Sequence, residues 1–206
     1  MRIAVIGSTS GTGLQVVEAA LERGDVVSAF ARTPSKLGDL EPRVEVHQGD
    51  VLSSADALDA CVRGADGVVV SLSSGTLGKQ TIREEGTRRV IESMQREGAT
   101  RLVIVSSLGA GDSATLDLLG VAGLTFVKTV IRQPVADHTR QEAAVRASGL
   151  DWTIARPGGL TDAPSTGSWR TDGKGAARIA RADVARAMLS WIEEGAFVGE
   201  AVPLKS

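Results

Sequence analysis

Short apolar runs rich in β-branched residues recur along the chain, and stretches with helical spacing separate them. The runs predict strands at Arg2–Ile6, Val26–Ala31, Val44–His47, Gly67–Ser71, Leu102–Ser106 and Trp152–Ala155. Their apolar character is nearly continuous, which is typical of parallel strands that are buried on both faces. The pattern therefore predicts an α/β fold, a doubly wound parallel sheet with helices on both faces.

Apolar positions at helical spacing mark three of the intervening segments. The apolar faces consist of Leu14, Val17 and Leu21, of Ile82, Val90, Ile91 and Met94, and of Val184, Met188 and Trp191. A further helix is predicted at Ala55–Val62, with Cys61 as a small buried residue. Right-handed crossovers bring the carboxyl ends of the strands to one edge of the sheet, where ligands of such folds bind. Site residues are therefore expected just after strands.

The segment from 109 to 134 departs from the alternation of strands and helices. Its glycines and scattered apolar residues indicate a loop with one or two short helices after the fifth strand. It is interpreted as a lid over the site, and a subunit contact or extra core packing fits the same pattern. No internal repeat or linker divides the chain, so residues 1–206 are expected to form a single domain.

Composition narrows the possible partners. The chain is 42% hydrophobic and 23% charged with a formal net charge of −2, and it has no basic stripe for nucleic acid or a lipid surface. The apolar stretch 116–131 is interrupted by charged residues and glycines, so no membrane span is expected. A single cysteine and no signal-peptide pattern favour the cytoplasm. A small-molecule substrate and a monomer or homodimer are expected.

A glycine-rich loop follows the first strand and opens the first helix. Its predicted cofactor-binding residues are Gly7, Thr9, Ser10, Gly11, Thr12 and Gly13. Glycine permits a tight turn and close approach of the backbone to a pyrophosphate, and the helix amino end adds N–H groups and a positive dipole. This is the Rossmann-like dinucleotide motif in its required context. The alternative is a glycine-rich turn without a ligand.

The end of the second strand distinguishes the two nicotinamide cofactors. NAD is usually held by an acidic residue about 20 residues beyond the glycines, and none is present here. Arg32, Thr33, Ser35 and Lys36 instead place cations and hydroxyls where a 2′-phosphate would lie. NADP(H) is the predicted cofactor. The alternative is that Arg32 and Lys36 belong to an ordinary solvated loop.

These residues resemble the NmrA-like, NAD(P)H-binding atypical short-chain dehydrogenases/reductases, and among them the flavin/biliverdin reductases. The similarity covers nearly the whole chain. It rests on GSTSGTG at 7–13, Ala31-Arg32, Gly49-Asp50-Val51, Val105-Ser106-Ser107, RASGLDWTIARPG at 146–158 and IARADVA at 179–185. In this family the middle glycine of the loop falls at Ser10, whereas this chain has Gly11, as in ordinary short-chain dehydrogenases.

The resemblance implies further cofactor contacts. Residues matching Asp50 and Val51 contact the adenine, and the loop matching Leu72, Ser73 and Ser74 lines the ribose and nicotinamide. A carboxylate accepts from the adenine amino group, and a β-branched side chain covers the ring. Asp50 can also cap the turn that follows it.

The catalytic tyrosine of ordinary short-chain dehydrogenases is missing, because the chain contains no tyrosine. Pro134 stands at its position and His138 at that of the accompanying lysine. Ser107 and His138 are the candidate catalytic residues, with His138 expected to titrate near neutral pH and Glu142 one turn beyond it. A surface or helix-capping role for His138 is the alternative. The resemblance implies an active-site serine at Ser107, whereas a second active-site histidine of these reductases falls on Gly159.

Ser106, Pro157 and Gly158 are expected to wall the nicotinamide pocket, although Ser106 can also bond its own strand end. Arg156 either binds an anionic substrate or ties down its loop. Trp169 could close over a flat ligand. No metal site is expected, since the two histidines and one cysteine lack ligand spacing.

Two functions fit the sequence. The first is an NADPH-dependent oxidoreductase that transfers a hydride to a planar acceptor such as a flavin, quinone or tetrapyrrole, with protonation from solvent. The second is a non-catalytic, NADP(H)-sensing regulatory protein. An epimerase or dehydratase has no dedicated acid/base pair in its support.

Overall fold

The computed structural model describes residues 1–73, 81–108, 110, 132–172 and 178–206. Its strands are β1 (Arg2–Ile6), β2 (Val26–Ala31), β3 (Glu45–Gln48), β4 (Gly67–Val70), β5 (Arg101–Val105), β6 (Asp151–Pro157), β7 (Gly159–Thr161), β8 (Arg178–Ala180) and β9 (Glu200–Leu204). Its helices are α1 (Gly11–Glu22), α2 (Ala55–Val62), α3 (Ile82–Glu97), α4 (Arg132–Arg146) and α5 (Arg181–Glu193). A 3-10 segment, Pro34–Arg43, bends at Gly38.

Seven strands pair in the order β3-β2-β1-β4-β5-β6-β9, and every pairing between them is parallel. The chain runs outward from β1 to β3, crosses back to β4 and then runs outward the other way. The predicted doubly wound, Rossmann-like fold is confirmed. Its switch point lies between β1 and β4, where ligands of open α/β sheets bind.

The sheet is covered on both faces because successive strand residues point to opposite sides. Ile3, Val5 and Val103 face α1 and α5, whereas Ile6 and Ile104 face α2, α3 and α4. Both sets are buried. This double burial accounts for the continuous apolar runs in the sequence.

Several sequence-based boundaries need correction. β3 begins one residue later than predicted, while Ser71 and Ser106 lie just beyond β4 and β5. In the first helix the predicted Leu14 and Leu21 are partly exposed, and the buried face centres on Val16, Val17 and Ala20. The short pair β7–β8 and the edge strand β9 were not predicted. β9 contains Pro203, which an edge strand tolerates because one side needs no hydrogen bonds.

The segment 109–134, predicted as a lid or interface insertion, lies outside the described residues except for Ala110 and the start of α4. In the part of the chain that is described, no helix is long and apolar enough to cross a membrane.

Candidate dinucleotide-binding site

The glycine loop turns tightly at the switch point of the sheet. Gly7 has a φ of +91°, and a Cβ on it would collide with the carbonyl oxygen of Ser71. A Cβ on Gly13 would collide with the carbonyl oxygen of Gly7. The loop is therefore pressed against the end of β4 and against its own first residue, which requires glycine at both positions.

The loop leaves the start of α1 available for an anion. Ser10 has extended backbone at the N-cap, and its side chain makes no capping hydrogen bond. Buried Ser8 donates from Oγ to the carbonyl oxygen of Phe30 at 3.0 Å, which ties the loop to β2. Amide groups and helix dipole at such a terminus favour a phosphate.

A cavity of about 130 Å³ opens beside the loop, between the ends of β1, β2, β3 and β4. It brings together many of the predicted cofactor residues: Gly7, Thr9, Ser10, Arg32, Lys36, Asp50, Val51, Leu72 and Ser73. Phe30, Ala31, Thr33, Ser71 and Ile82 also line it. Gly11, Thr12 and Gly13 form the first turn of α1, and Ser35 lies on the exposed 3-10 segment.

The outer end of the cavity carries mixed charge. The Arg32 side chain is 74% exposed, and its Nη1 lies 3.9 Å from Asp50 Oδ2. Asp50 Oδ1 accepts from the backbone N–H of Leu52 at 2.9 Å, so Asp50 caps the turn after β3. This capping leaves Oδ2 facing Arg32. An exposed guanidinium that is held loosely can reorient toward a phosphate.

The apolar wall of the cavity depends on a glycine in α3. A Cβ on Gly86 would lie 2.6 Å from Leu72 Cδ1 and 3.1 Å from Val51 Cγ1. Gly86 therefore lets both side chains pack closely against the helix. Gly86 is not predictable as a site residue from the sequence, because a glycine inside a helical pattern does not reveal what packs against it.

Beyond the glycine loop, a buried ion pair supports the ends of β5 and β6. Arg156 donates from Nε to Glu142 Oε1 at 3.0 Å and from Nη2 to Oε2 at 2.6 Å. Ser106 Oγ also donates to Glu142 Oε1, at 2.7 Å. Two roles were predicted for Arg156, binding an anionic substrate or tying down its loop. In the structure the side chain ties the end of β6 to Glu142 of α4, which agrees with the second role. Ser106 bonds this pair rather than its own strand end.

The loops after β5 and β6 are joined by backbone hydrogen bonds. The N–H of Leu108 donates to the carbonyl oxygen of Pro157 at 3.1 Å, and the N–H of Gly158 donates to that of Leu204 at 2.9 Å. Ser107 is partly buried, and its Oγ donates to the carbonyl oxygen of Leu108 at 3.1 Å. These bonds place Ser107 beside Pro157 and Gly158 at the carboxyl edge.

The expectation that His138 titrates near neutral pH is wrong. Burial and the nearby Arg83 guanidinium lower the pKa of His138 to about 4. Its Nδ1 lies 3.3 Å from Gln141 Oε1, and Gln141 donates to Thr87 Oγ1 of α3. Glu142, expected to reach His138, is engaged with Arg156. His138 is therefore neutral at physiological pH.

Two residues of the IARADVA motif anchor the segment 162–167 to the start of α5. Asp183 is fully buried and accepts from Ser165 Oγ at 2.5 Å and from the N–H groups of Thr166 and Gly167, both at 3.1 Å. Arg181 pairs with Asp162 beside the first turn of α1. In the sequence this motif carries only the family resemblance, and it does not reveal these contacts.

Metal binding gains no support from the described residues, among which no group of three or more histidine, cysteine or carboxylate side chains has the geometry of a metal site.

Trp169 packs against the core cluster that lies under α1 and α5.

Comparison with known proteins agrees with this geometry. Residues 7–195 match a family model described as NAD(P)H-binding. Oxidoreductase stcQ of Emericella nidulans is 32% identical over 180 residues, which cover 76% of this chain and 64% of the fungal protein. YhfK of Bacillus subtilis, an uncharacterized sugar epimerase, is 26% identical over 202 residues, covering 94% of this chain and 89% of that protein.

Among solved structures, ChuY, an anaerobilin reductase from Escherichia coli O157:H7, aligns with a TM-score of 0.82 and 27% identity. The match covers 100% of this chain and 97% of ChuY. Several curated relatives are longer, and the chain spans less than two thirds of their length.

Fold, glycine loop and matched family model define a dinucleotide-binding protein of the Rossmann class. The chain belongs to the NAD(P)H-binding family, and its resemblance to the NmrA-like atypical short-chain dehydrogenases/reductases is confirmed.

Proposed function

We propose that this protein is an NADPH-dependent reductase that transfers a hydride to a small planar acceptor of the flavin, quinone or tetrapyrrole type. The observation that carries the proposal is the cavity at the switch point, which joins the glycine loop to an outer end lined by Arg32, Lys36 and Asp50. The similarity to the anaerobilin reductase ChuY and to an oxidoreductase supports reduction as the activity.

The residues present fit the proposed cofactor. Gly7 and Gly13 remove side chains from the path of a pyrophosphate, and the uncapped start of α1 offers N–H donors. Val51 and Leu72 supply an apolar wall suited to an adenine ring. Arg32 and Lys36 line the outer end of the cavity, and two cations there would favour the additional negative charge of a 2′-phosphate, which supports NADPH over NADH.

Bound NADPH supplies a hydride, and the acceptor is reduced by that hydride together with one proton. Ser107 offers a hydroxyl at the carboxyl edge for the acceptor or the carboxamide. The Glu142–Arg156 pair holds the ends of β5 and β6, and so positions this edge. Proximity between donor and acceptor is then the main contribution of the protein.

The proton comes from solvent in this proposal. The chain has no tyrosine, and His138, with a pKa of about 4, is neutral in the range where a general acid is needed. An acceptor whose reduced form takes up a proton from water requires no acidic side chain. The lack of an acidic side chain therefore favours flavins, quinones and conjugated tetrapyrroles as acceptors over simple ketones.

The same low pKa gives the second candidate its support. A protein that only senses NADP(H) needs a binding site and no proton donor, and the engaged Glu142 and neutral His138 agree with that role. The two functions differ in turnover alone.

The test is a fluorescence titration with NADPH and NADH, followed by NADPH oxidation assays with FMN, a quinone and biliverdin. Arg32→Ala is expected to weaken the binding of NADPH about tenfold or more. The affinity for NADH should change by less than about twofold, because only NADPH carries the 2′-phosphate. Arg89→Ala, which removes an exposed arginine paired with Glu92 on α3, is the control.

Tight NADPH binding with turnover supports the reductase. Tight binding without turnover on any of the acceptors selects the sensing role. Absence of dinucleotide binding refutes both functions, and an equal loss of NADPH and NADH affinity in Arg32→Ala refutes the proposed cofactor preference.

A further inference from the structure

Arg181 lies against the glycine loop at Gly11 and outside the lining of the cavity. A Cβ built on Gly11 would lie 3.7 Å from Arg181 Nε, so the guanidinium occupies the space beside the first turn of α1. The Arg181 side chain is 26% exposed, and its Nη1 donates to Asp162 Oδ1 at 2.6 Å. The guanidinium is therefore held at the loop and partly open to solvent.

This position is electrostatically unusual for an arginine. Arg181 is the first residue of α5, and it also lies at the start of α1. Helix amino ends carry partial positive charge, so cations are stabilised at the carboxyl ends and disfavoured here. Two amino ends and one guanidinium concentrate positive potential at a single place.

The nearby carboxylates compensate this charge incompletely. Asp162 is 89% exposed, and an ion pair with such a partner contributes little in water. Asp183, in the first turn of α5, directs its oxygens to Ser165, Thr166 and Gly167 instead. An anion that binds at the start of α1 would neutralise the remaining positive charge between the amino ends of α1 and α5.

We propose that Arg181 is a further cofactor-binding residue that contacts the pyrophosphate of the dinucleotide across Gly11. The inference rests on the proposed dinucleotide binding at the glycine loop. A guanidinium binds phosphate oxygens with strong, charge-assisted hydrogen bonds.

The two arginines then have different roles. Arg32 contacts the phosphate that NADPH alone carries, whereas Arg181 contacts the diphosphate common to both cofactors. Arg181 therefore adds affinity without adding cofactor preference. Asp162 competes with the diphosphate for the same guanidinium.

The experiment measures dissociation constants of NADPH, NADH and 2′-AMP, which lacks the pyrophosphate, for wild type and variants. Arg181→Ala is expected to weaken the binding of NADPH and of NADH equally, by about tenfold, since one charge-assisted hydrogen bond to the diphosphate is lost. Its 2′-AMP binding should stay within about twofold of wild type. Arg181→Lys should recover part of the loss because it keeps the charge.

Asp162→Ala separates a ligand role from a structural one. It breaks the same ion pair but leaves Arg181 in place, so dinucleotide affinity should be unchanged or higher. Arg186→Ala removes an exposed arginine of α5 that pairs with Glu22, and it serves as the matched control.

Unchanged dinucleotide binding by Arg181→Ala, with a binding-competent wild type, overturns this inference and leaves the proposed function intact. Equal losses in Arg181→Ala and Asp162→Ala also overturn it, since the ion pair would then matter only for the fold. A parallel loss of 2′-AMP binding in Arg181→Ala does the same. A wild type that binds neither dinucleotide refutes the proposed function as well.

Discussion

Truncation of Glu142 is expected to destabilise the protein strongly. The carboxylate is 1% exposed and the Arg156 side chain is 7% exposed, with the two joined at 2.6 Å. Ser106 Oγ donates to the same carboxylate at 2.7 Å. Glu142→Ala therefore leaves a buried guanidinium without its carboxylate and a buried hydroxyl without its acceptor.

Breaking a buried ion pair from one side costs about 3–5 kcal/mol, because an uncompensated charge is left in the interior. For a chain of this length, 1 kcal/mol corresponds to a change in melting temperature of roughly 2–4 °C. Glu142→Ala is thus expected to lower the melting temperature by about 6–20 °C.

Urea unfolding of wild type, Glu142→Ala and the double variant Glu142→Leu/Arg156→Met provides the assay. The double variant should recover most of the lost free energy of unfolding, since both charges of the Arg156–Glu142 pair are removed together. Glu92→Ala, which breaks an exposed pair on α3, should change stability by less than about 1 kcal/mol.

A loss below about 1 kcal/mol in Glu142→Ala would refute the reasoning, since it would mean that water or another group compensates Arg156. A double variant that is less stable than Glu142→Ala would refute it as well, because removal of the second charge would then bring no relief.

Three further variants test the packing around α3 and α4. Gly86→Ala is expected to weaken NADPH several-fold in a fluorescence titration, because the new methyl group displaces Leu72, while the free energy of unfolding changes by less than about 1 kcal/mol; unchanged affinity would contradict this. Asp137→Ala is expected to cost about 1–3 kcal/mol in urea unfolding, since Asp137 accepts from the first N–H groups of α3 and pairs with Arg83; retention of wild-type stability would exclude the capping role. The lowered pKa of His138 means that its protonation favours the unfolded chain, so stability should be intact above about pH 6.5 and should fall by on the order of 3 kcal/mol as the pH drops toward 4. His138→Leu should flatten that pH dependence in unfolding experiments between pH 4 and 7, and an unchanged slope would assign it to other groups.

Much of the fold was predictable because burial on both faces leaves a strong local pattern. β1, β2 and α2 have the boundaries that the sequence predicts. β9 escaped prediction for a physical reason: it is an edge strand in which Val202 and Leu204 are buried while Glu200 is exposed and Pro203 interrupts the pattern. Pairing with β6, which decides its conformation, is remote in the sequence.

The candidate site also has a part that the sequence predicts and a part that depends on tertiary packing. The glycine loop and Arg32 follow β1 and β2 directly, so the sequence alone places them at one edge of the sheet. The ionisation of His138 depends on burial and on Arg83 of α3, which is far away along the chain. Sequence spacing suggested Glu142 as the neighbour of His138. In the structure α4 packs against β6, and Glu142 forms its ion pair with Arg156 instead.

The sequence by itself determines that a tight, glycine-rich turn follows β1 and opens α1, whereas the close contacts at Gly7 and Gly13 are seen only in the structure. It also determines that no tyrosine can take part in catalysis. Only the tertiary structure decides which charges meet. Glu142 with Arg156, Asp137 with the start of α3, and Arg181 with the glycine loop each join separate elements. Their partners are set by how helices pack on the sheet, because charge interactions depend on distance and burial rather than on order along the chain.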